Sequence, residues 1–412
     1  MRSACIISIG NELLTGETVD TNTSWLCSEL LSCGIPTVAV ITVGDEVGPI
    51  VDAFRQAAER AEVVLATGGL GPTGDDLTRV ALAAFLDVDL QFRQDLFEGI
   101  NQLFTRMGRE MPYINRVQAM LPAGARALPN SMGTAPGMAV EHAGRFIACM
   151  PGVPAEMKRM FHEQLKDHLR QLAGGQGVAA SKLMCYGTGE SAIATMLGDR
   201  MERGRNPLVN TTADVGVVTV HIVAAGENWP DAERLVEEER GELCKLLGDI
   251  VYGFDGQTLA EVAGSLLLAR GRTLAVAESC TGGLLGKLIT DVPGSSDYFR
   301  SGWVTYSNEA KVRDLDVDPE ILQRDGAVSE AVACAMAEGA RKRAGTEYAL
   351  AITGIAGPGG GSEAKPAGLV YVALAAAQYC RCQQFIFHGD RQSVRRRSAL
   401  AALDMLRLQL VN

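Results

Sequence analysis

Short apolar runs alternate with amphipathic segments from the start of this chain. ACIISIG, TVAVITV and VVLATGG, within residues 4–69, are apolar runs of strand length. Between the first two, Trp25, Leu26, Leu30 and Leu31 recur at helical spacing. They predict a helix capped by Asp20 or Thr21 and stopped at Gly34, with Pro36 beyond. A second helix runs to about Arg60, and a third follows VVLATGG. This alternation predicts a parallel sheet with helices on both faces.

The pattern changes twice further on. Small residues cluster at 173–177, a candidate linker. Beyond it, residues 178–252 read as strand KLMCYG, helix ESAIATMLGDRM, a strand around LVNTT, the long strand VGVVTVHIVA and a charged helix from Asp231 to Leu247. That order predicts a small α+β domain. From 253 to 412 the alternation of helix and strand returns, with a helix over 257–269 and strand TLAVAES leading into the helix TGGLLGKLIT. Strands follow near 299–306, 347–353, 368–376 and 383–388, and a last helix starts after the N-cap Asp390. Three domains are expected, over 1–173, 178–252 and 253–412.

With 412 residues, 47% of them hydrophobic and 21% charged, the chain has material for several cores. A net charge of −11 argues against a duplex nucleic-acid binder, which needs a basic face. No apolar run reaches the length of a membrane span and the N-terminus lacks a signal-peptide pattern, so a cytoplasmic protein is expected. The ten cysteines include no CxxC pair and are expected to be reduced thiols. Cys380 and Cys382 alternate with Arg381, as on one face of a strand.

Candidate chemistry sits at strand-to-helix junctions. Ser279 in AESCTGG has Cys280, Thr281, Gly282 and Gly283 after it, where backbone N–H groups could meet a developing oxyanion. Read alone, Ser279 is an ordinary helix cap. With no histidine in a recognisable triad, its base would be a lysine of lowered pKa. Lys311, just past Tyr306, is placed for this, although alone it reads as a surface lysine. Gly354, Ile355, Ala356 and Gly357 open a glycine-rich loop after a strand, and Arg391 begins the last helix, where it can pair with a phosphate. In the first domain, Gly68, Gly69, Gly71, Asp75, Asp76 and Thr78 follow a strand and open a helix. The glycines suit phosphate, and Asp75 and Asp76 are candidate ligands for a divalent cation. Asn11, Glu12 and Asp20 supply a second wall.

The wording of the third domain resembles the PncC-type amidase domain of the CinA family: AESCTGG, VTYSNEAK, GAVSE, TGIAGPGGGSEAKPAG and HGDR. The resemblance implies a nicotinamide-nucleotide amidase that converts nicotinamide mononucleotide and water to nicotinic acid mononucleotide and ammonia. Its Ser–Lys pair falls on Ser279 and Lys311 and its active-site tyrosine on Tyr306, and the step needs no cofactor. GNELLTGETVDTNT, GGLGPTGDDLT, NSMGTAPG and PGVPAEM resemble the MogA/MoaB-type molybdopterin-binding fold, in the version that opens CinA proteins. That likeness implies hydrolysis of ADP-ribose with a divalent cation such as magnesium and potassium. The middle block resembles a KH-like domain, but Gly187-Thr188-Gly189-Glu190 lacks the GXXG needed to grip single strands. The expected architecture is therefore α/β: a parallel-sheet first domain, a small α+β middle domain and an α/β amidase domain. The family resemblance suggests a homodimer working on small nucleotides in pyridine-nucleotide salvage. The competing readings are a molybdopterin-binding protein and a competence- or DNA-damage-linked interaction protein.

Overall fold

The computed structural model describes residues 2–175 and 177–411. Gln176, inside the expected linker, lies outside them, as do Met1 and Asn412 at the outer limits of the expected domains. The chain divides into two compact units. One holds the residues up to Ala180 with Ala224–Leu235. The other holds Ser181–Val223 and the chain from Val236 on. No helix among the described residues is long and apolar enough to cross a membrane.

The first unit is built on strands β1 Ala4–Ile9, β2 Thr37–Val43, β3 Val63–Thr67, β4 Leu90–Phe92, β5 Met120–Pro122, β6 Arg126–Leu128, β7 Gly137–His142 and β8 Arg145–Met150. Six form one sheet in the order β2-β1-β3-β8-β7-β6, and β4 pairs with β5. β1 and β3 are buried along their whole length, and β2, at the edge, alternates half-buried and exposed positions, Val38 and Val40 among the exposed. Burial on both faces is why the central strands read as unbroken apolar runs. The expected parallel sheet covers β2, β1, β3 and β8, but β7 runs antiparallel to both of its neighbours, β8 and β6. The reason is local. Between His142 and Arg145 the turn residues Ala143 and Gly144 both have positive φ, 49° and 76°, the two-residue turn that closes a hairpin.

The middle sheet, β9 Gly177–Tyr186, β10 Leu208–Asp214, β11 Val217–Gly226 and β12 Val251–Phe254 in the order β10-β11-β9-β12, falls in the second unit except for the first residues of β9 and the last of β11. Tyr252 belongs to the C-terminal core, and Met184, Tyr186 and Val217 pack against it, so the inner face of this small sheet shares that core. The C-terminal sheet has the order β14-β13-β15-β16-β17, from β13 Leu274–Glu278, β14 Phe299–Val304, β15 Tyr348–Gly354, β16 Leu369–Ala375 and β17 Cys380–Ile386. β13 is parallel to both neighbours, and β16 and β17 add antiparallel strands. Helices Leu259–Ala269 and Arg391–Val411 contribute to one apolar core and Glu330–Ala344 to the other.

In both sheets the second strand in sequence lies on one side of the first and the third on the other. This places a crevice beyond the C-terminal ends of β1 and β3, and another beyond β13, β14 and β15, where ligands bind in open α/β sheets.

Helix glycines give a test of this packing. A Cβ on buried Gly339 would run into the Leu315 carbonyl, whereas exposed Gly99, in helix Gln94–Arg106, faces open space. Gly99→Ala is expected to stabilise the first unit by roughly 0.5–1 kcal/mol. Gly339→Ala should instead destabilise the second by about 1–3 kcal/mol. Thermal unfolding of the two full-length variants distinguishes these opposite signs.

Candidate active sites

β13 ends at Glu278, which pairs across the sheet with Val304 and Ile352. Ser279 therefore emerges level with Thr305 and Thr353. Its own N–H is held by the Ile352 carbonyl at 2.9 Å, and the residue is 8% exposed. The chain then turns through Gly282 and Gly283, both left-handed at φ 57° and 93°, before helix Leu284–Thr290 begins. The helix thus starts three residues later than expected. Ser279 is no cap; it stands in the turn.

Lys311 arrives from the next strand. After β14, Ser307 caps helix Asn308–Leu315 by accepting the Ala310 N–H. Lys311 lies in this helix with its side chain turned inward, 1% exposed. Its Nζ donates to Ser279 Oγ at 3.2 Å, to the Thr305 carbonyl at 2.9 Å and to the Tyr306 carbonyl at 3.4 Å. Burial pushes its pKa below the ordinary lysine value, against smaller opposing contributions from Cys280 and Glu309. Read in isolation Lys311 is a surface lysine; the helix that follows β14 turns it into the interior, as its expected role as a base requires.

The expected oxyanion donors need a correction. The Gly282 N–H bonds to the Ser279 carbonyl. The Gly283 N–H goes to the Glu278 carboxylate at 3.0 Å, together with those of Leu285 at 3.0 Å and Gly286 at 2.8 Å. Gly354 pairs with Val370 within the sheet, and the Ile355 N–H goes to the Leu369 carbonyl. These groups complete the fold instead of facing a ligand. Among the described residues, the N–H groups of Cys280, Thr281, Ala356 and Gly357 meet no other residue as acceptor.

Tyr306 is exposed, and its hydroxyl accepts from Arg391 at 2.9 Å. Arg391 also donates to the Gly357 carbonyl at 3.0 Å, so the tyrosine, the glycine loop and the last helix meet at one point. One helical turn on, Arg395 donates twice to the Thr281 carbonyl, at 2.6 and 3.1 Å. Glu278 and Arg395 were not singled out from sequence. The signals available were an acid directly before Ser279 and an arginine four residues after Arg391, on the same helix face.

In the first unit a cleft of about 440 Å³ opens at the ends of β1, β3 and β8, and Glu12, Gly68, Gly69, Gly71, Asp75 and Asp76 line it. Asp45, Gln118 and Glu156, not expected from sequence, line it too. Three other expected residues serve the scaffold. Asn11 exchanges hydrogen bonds with Asp45. Asp20 caps helix Thr21–Ser32; burial raises its pKa, but hydrogen bonds from Ser8 and Thr23 outweigh that and hold it low. Thr78 is buried and ties the Gly68 carbonyl at 2.8 Å.

Of the two expected cation ligands, it is Asp76 that is engaged within its own turn. Asp76 accepts the N–H groups of Gly71 at 2.6 Å and Thr73 at 2.8 Å, closing the turn on itself. Buried Arg79 donates to the Leu70 and Gly71 carbonyls at 2.7 and 2.5 Å. Burial lowers its pKa to about 10, opposed by Asp76. Asp75 stays exposed. Among the described residues no group of three His, Cys, Asp or Glu side chains converges as a metal site, so a divalent cation here would need phosphate oxygens of a ligand beside the carboxylates.

Glu278 provides a test of the turn. Glu278→Gln replaces one acceptor oxygen by an amide that points donors at N–H groups. It is expected to destabilise the C-terminal transition by about 1–3 kcal/mol. An unchanged unfolding curve would show that the carboxylate does not hold the helix start.

Three protein-family models match the chain in order: "Probable molybdopterin binding domain" over residues 5–171, "Damage-inducible protein CinA KH domain" over 181–253 and "CinA C-terminal domain" over 256–410. A CinA-like protein of Synechococcus sp. (strain CC9902) is 43% identical over 410 residues, covering 98% of each chain. A CinA-like protein of Parasynechococcus marenigrum is 42% identical over 411 residues, again covering 98% of each. The crystal structure of the competence/damage inducible protein CihA from Agrobacterium tumefaciens is 40% identical, covering 37% of this chain and 94% of that one, with a TM-score of 0.36.

Proposed function

The chain belongs to the CinA family, and from that premise we propose that its C-terminal domain hydrolyses the carboxamide of nicotinamide mononucleotide through Ser279 and Lys311. The observation that carries this reading is the buried Lys311 amine 3.2 Å from Ser279 Oγ. A lysine at a surface would be protonated and useless as a base at neutral pH. Burial favours the neutral amine, which can take the hydroxyl proton.

In this mechanism Ser279 Oγ attacks the carboxamide carbon as its proton passes to Lys311. The Cys280 and Thr281 N–H groups supply donors for the oxyanion. Lys311 returns the proton to the departing nitrogen, the C–N bond breaks and ammonia leaves. Water then attacks the acyl ester, with Lys311 again accepting a proton, and Ser279 is released with the nicotinate product. Arg391, linked to Tyr306, is the proposed contact for the nucleotide phosphate.

For the first domain we propose a phosphorylated nucleotide ligand, with ADP-ribose cleaved to AMP and ribose 5-phosphate. The supporting observation is that the Gly69 and Leu70 N–H groups, at the cleft, meet no acceptor among the described residues. Such a turn suits phosphate oxygens. A molybdopterin ligand is the rival reading, and a fluorescent pterin in the purified protein would favour it.

Two assays on the full-length protein test both readings: ammonia release from nicotinamide mononucleotide and AMP release from ADP-ribose. Ser279→Ala should lower the first by at least about 10³-fold and leave the second unchanged. Retained ammonia release in that variant would sink the amidase assignment. Asp75→Ala should impair only the second assay.

The pH profile is a further test. Lys311 must lose its proton to act, so kcat/KM should rise with pH through an apparent pKa below 10.5, the ordinary lysine value. Lys311→Arg, which stays protonated, should abolish that limb together with the activity.

A further inference from the structure

A second group of reactive side chains lies away from both sites. β17 is the last strand of the C-terminal sheet and pairs with β16 alone, Cys380 opposite Ala375 and Cys382 opposite Ala373. Residues two apart on a strand share a face. Cys380, Cys382 and Cys334, from helix Glu330–Ala344, all pack on the same apolar cluster as the buried Ala373 and Ala375. The three side chains adjoin, with Cys334 the neighbour of both Cys380 and Cys382.

All three are free thiols, neither fully buried nor fully exposed. Cys334 also lines an open cleft with Ser329, Glu330, Lys365 and Tyr371, so a small molecule can reach it. The contacts favour a thiolate on Cys334 over one on either strand cysteine. Hydrogen bonds from Cys380 and Cys382 hold the Cys334 thiol well below its ordinary pKa. The same contact pushes those of its two partners up. A stabilised thiolate in reach of solvent, with a second thiol beside it, is the arrangement used for thiol–disulfide exchange. The three do not form a metal-ligating group.

We propose that Cys334, Cys380 and Cys382 form a redox-active thiol site that reacts with small disulfides and closes to a reversible disulfide between Cys334 and one of the two strand cysteines. The Cys334 thiolate attacks one sulfur of the small disulfide. That S–S bond breaks, and the expelled half leaves as a thiolate that takes up a proton. Cys380 or Cys382 then loses its proton and attacks the Cys334 sulfur, forming the internal bond and expelling the second half. Two protein thiols are oxidised as one small disulfide is reduced to two thiols. The product ties the outermost strand of the sheet to the helix that covers it. This inference is independent of either proposed activity.

The test uses the native full-length protein and oxidised glutathione. After acid quenching and alkylation, tryptic peptides are read by mass spectrometry. Cleavage after Arg381 separates Cys380 from Cys382, so the cross-linked peptide shows which one closed the bond. The expected result is the loss of two alkylatable thiols within the trio, a peptide joining Cys334 to Cys380 or Cys382, and full recovery with dithiothreitol. Cys334→Ser should abolish the cross-link. Cys380→Ser and Cys382→Ser should each leave closure through the remaining strand cysteine, and the double variant should stop at a glutathione adduct on Cys334. A wild-type Cys334 that stays free, or keeps glutathione with no internal bond, would overturn the proposal.

Discussion

The buried Glu278 carboxylate, accepting three backbone N–H groups at the start of helix Leu284–Thr290, is the contact on which the C-terminal site depends. A helix start otherwise presents unpaired donors and partial positive charge. Here a side chain from the preceding strand supplies the acceptor. It fixes the direction in which the chain leaves β13, and with it the place of Ser279. It also removes that helix end as a site for an anion. Any phosphate on the substrate must be met elsewhere, and the arginines of the last helix stand at the same crevice, Arg391 beside the glycine loop and Arg395 on the turn.

Lys311 depends on the same frame. A lysine amine beneath the surface is costly when charged. It is tolerated here because the Thr305 and Tyr306 carbonyls accept from it and Ser279 stands in reach. Those carbonyls are in place because the Thr305 N–H is bonded to the Glu278 carbonyl, at the end of the parallel ladder. The backbone of one residue aligns Lys311 while its carboxylate aligns the turn that carries Ser279. Geometry and lowered basicity are thus two results of one strand ending where it does.

Much of the fold was legible because buried central strands read as unbroken apolar runs. β1, β3 and β13 are of this kind. The antiparallel additions were not, since β7 and β8 are joined through Ala143-Gly144, a dipeptide with only half of the usual turn signal. At the sites, the motif residues were legible as positions but less so as roles. Asp76 sits among glycines, where an acid that closes its own turn and an acid that faces a ligand look alike in sequence. The spacing that brings Arg395 to Thr281 spans 114 residues, and no local pattern encodes it. Ser279 and Lys311 lie 32 apart and meet only because β14 pairs with β13.

The two sites, in unrelated stretches of chain, solve one physical problem in one way. A glycine-rich turn leaves the end of a buried parallel strand, and its backbone groups would be mobile and half-satisfied by themselves. In each, a carboxylate takes N–H groups of the turn or of the helix after it: Asp76 those of Gly71 and Thr73, Glu278 those of Gly283, Leu285 and Gly286. In each, an arginine takes carbonyls: Arg79 those of Leu70 and Gly71, Arg395 that of Thr281. Acid and base charges are supplied together, so the turn is held without adding net charge. Among the described residues, what remains unpaired is a short run of N–H groups, at Gly69 and Leu70 in one site and at Cys280 and Thr281 in the other. Donors fixed in this way need not reorganise when negative charge develops before them, which is the condition under which a backbone N–H contributes most to catalysis.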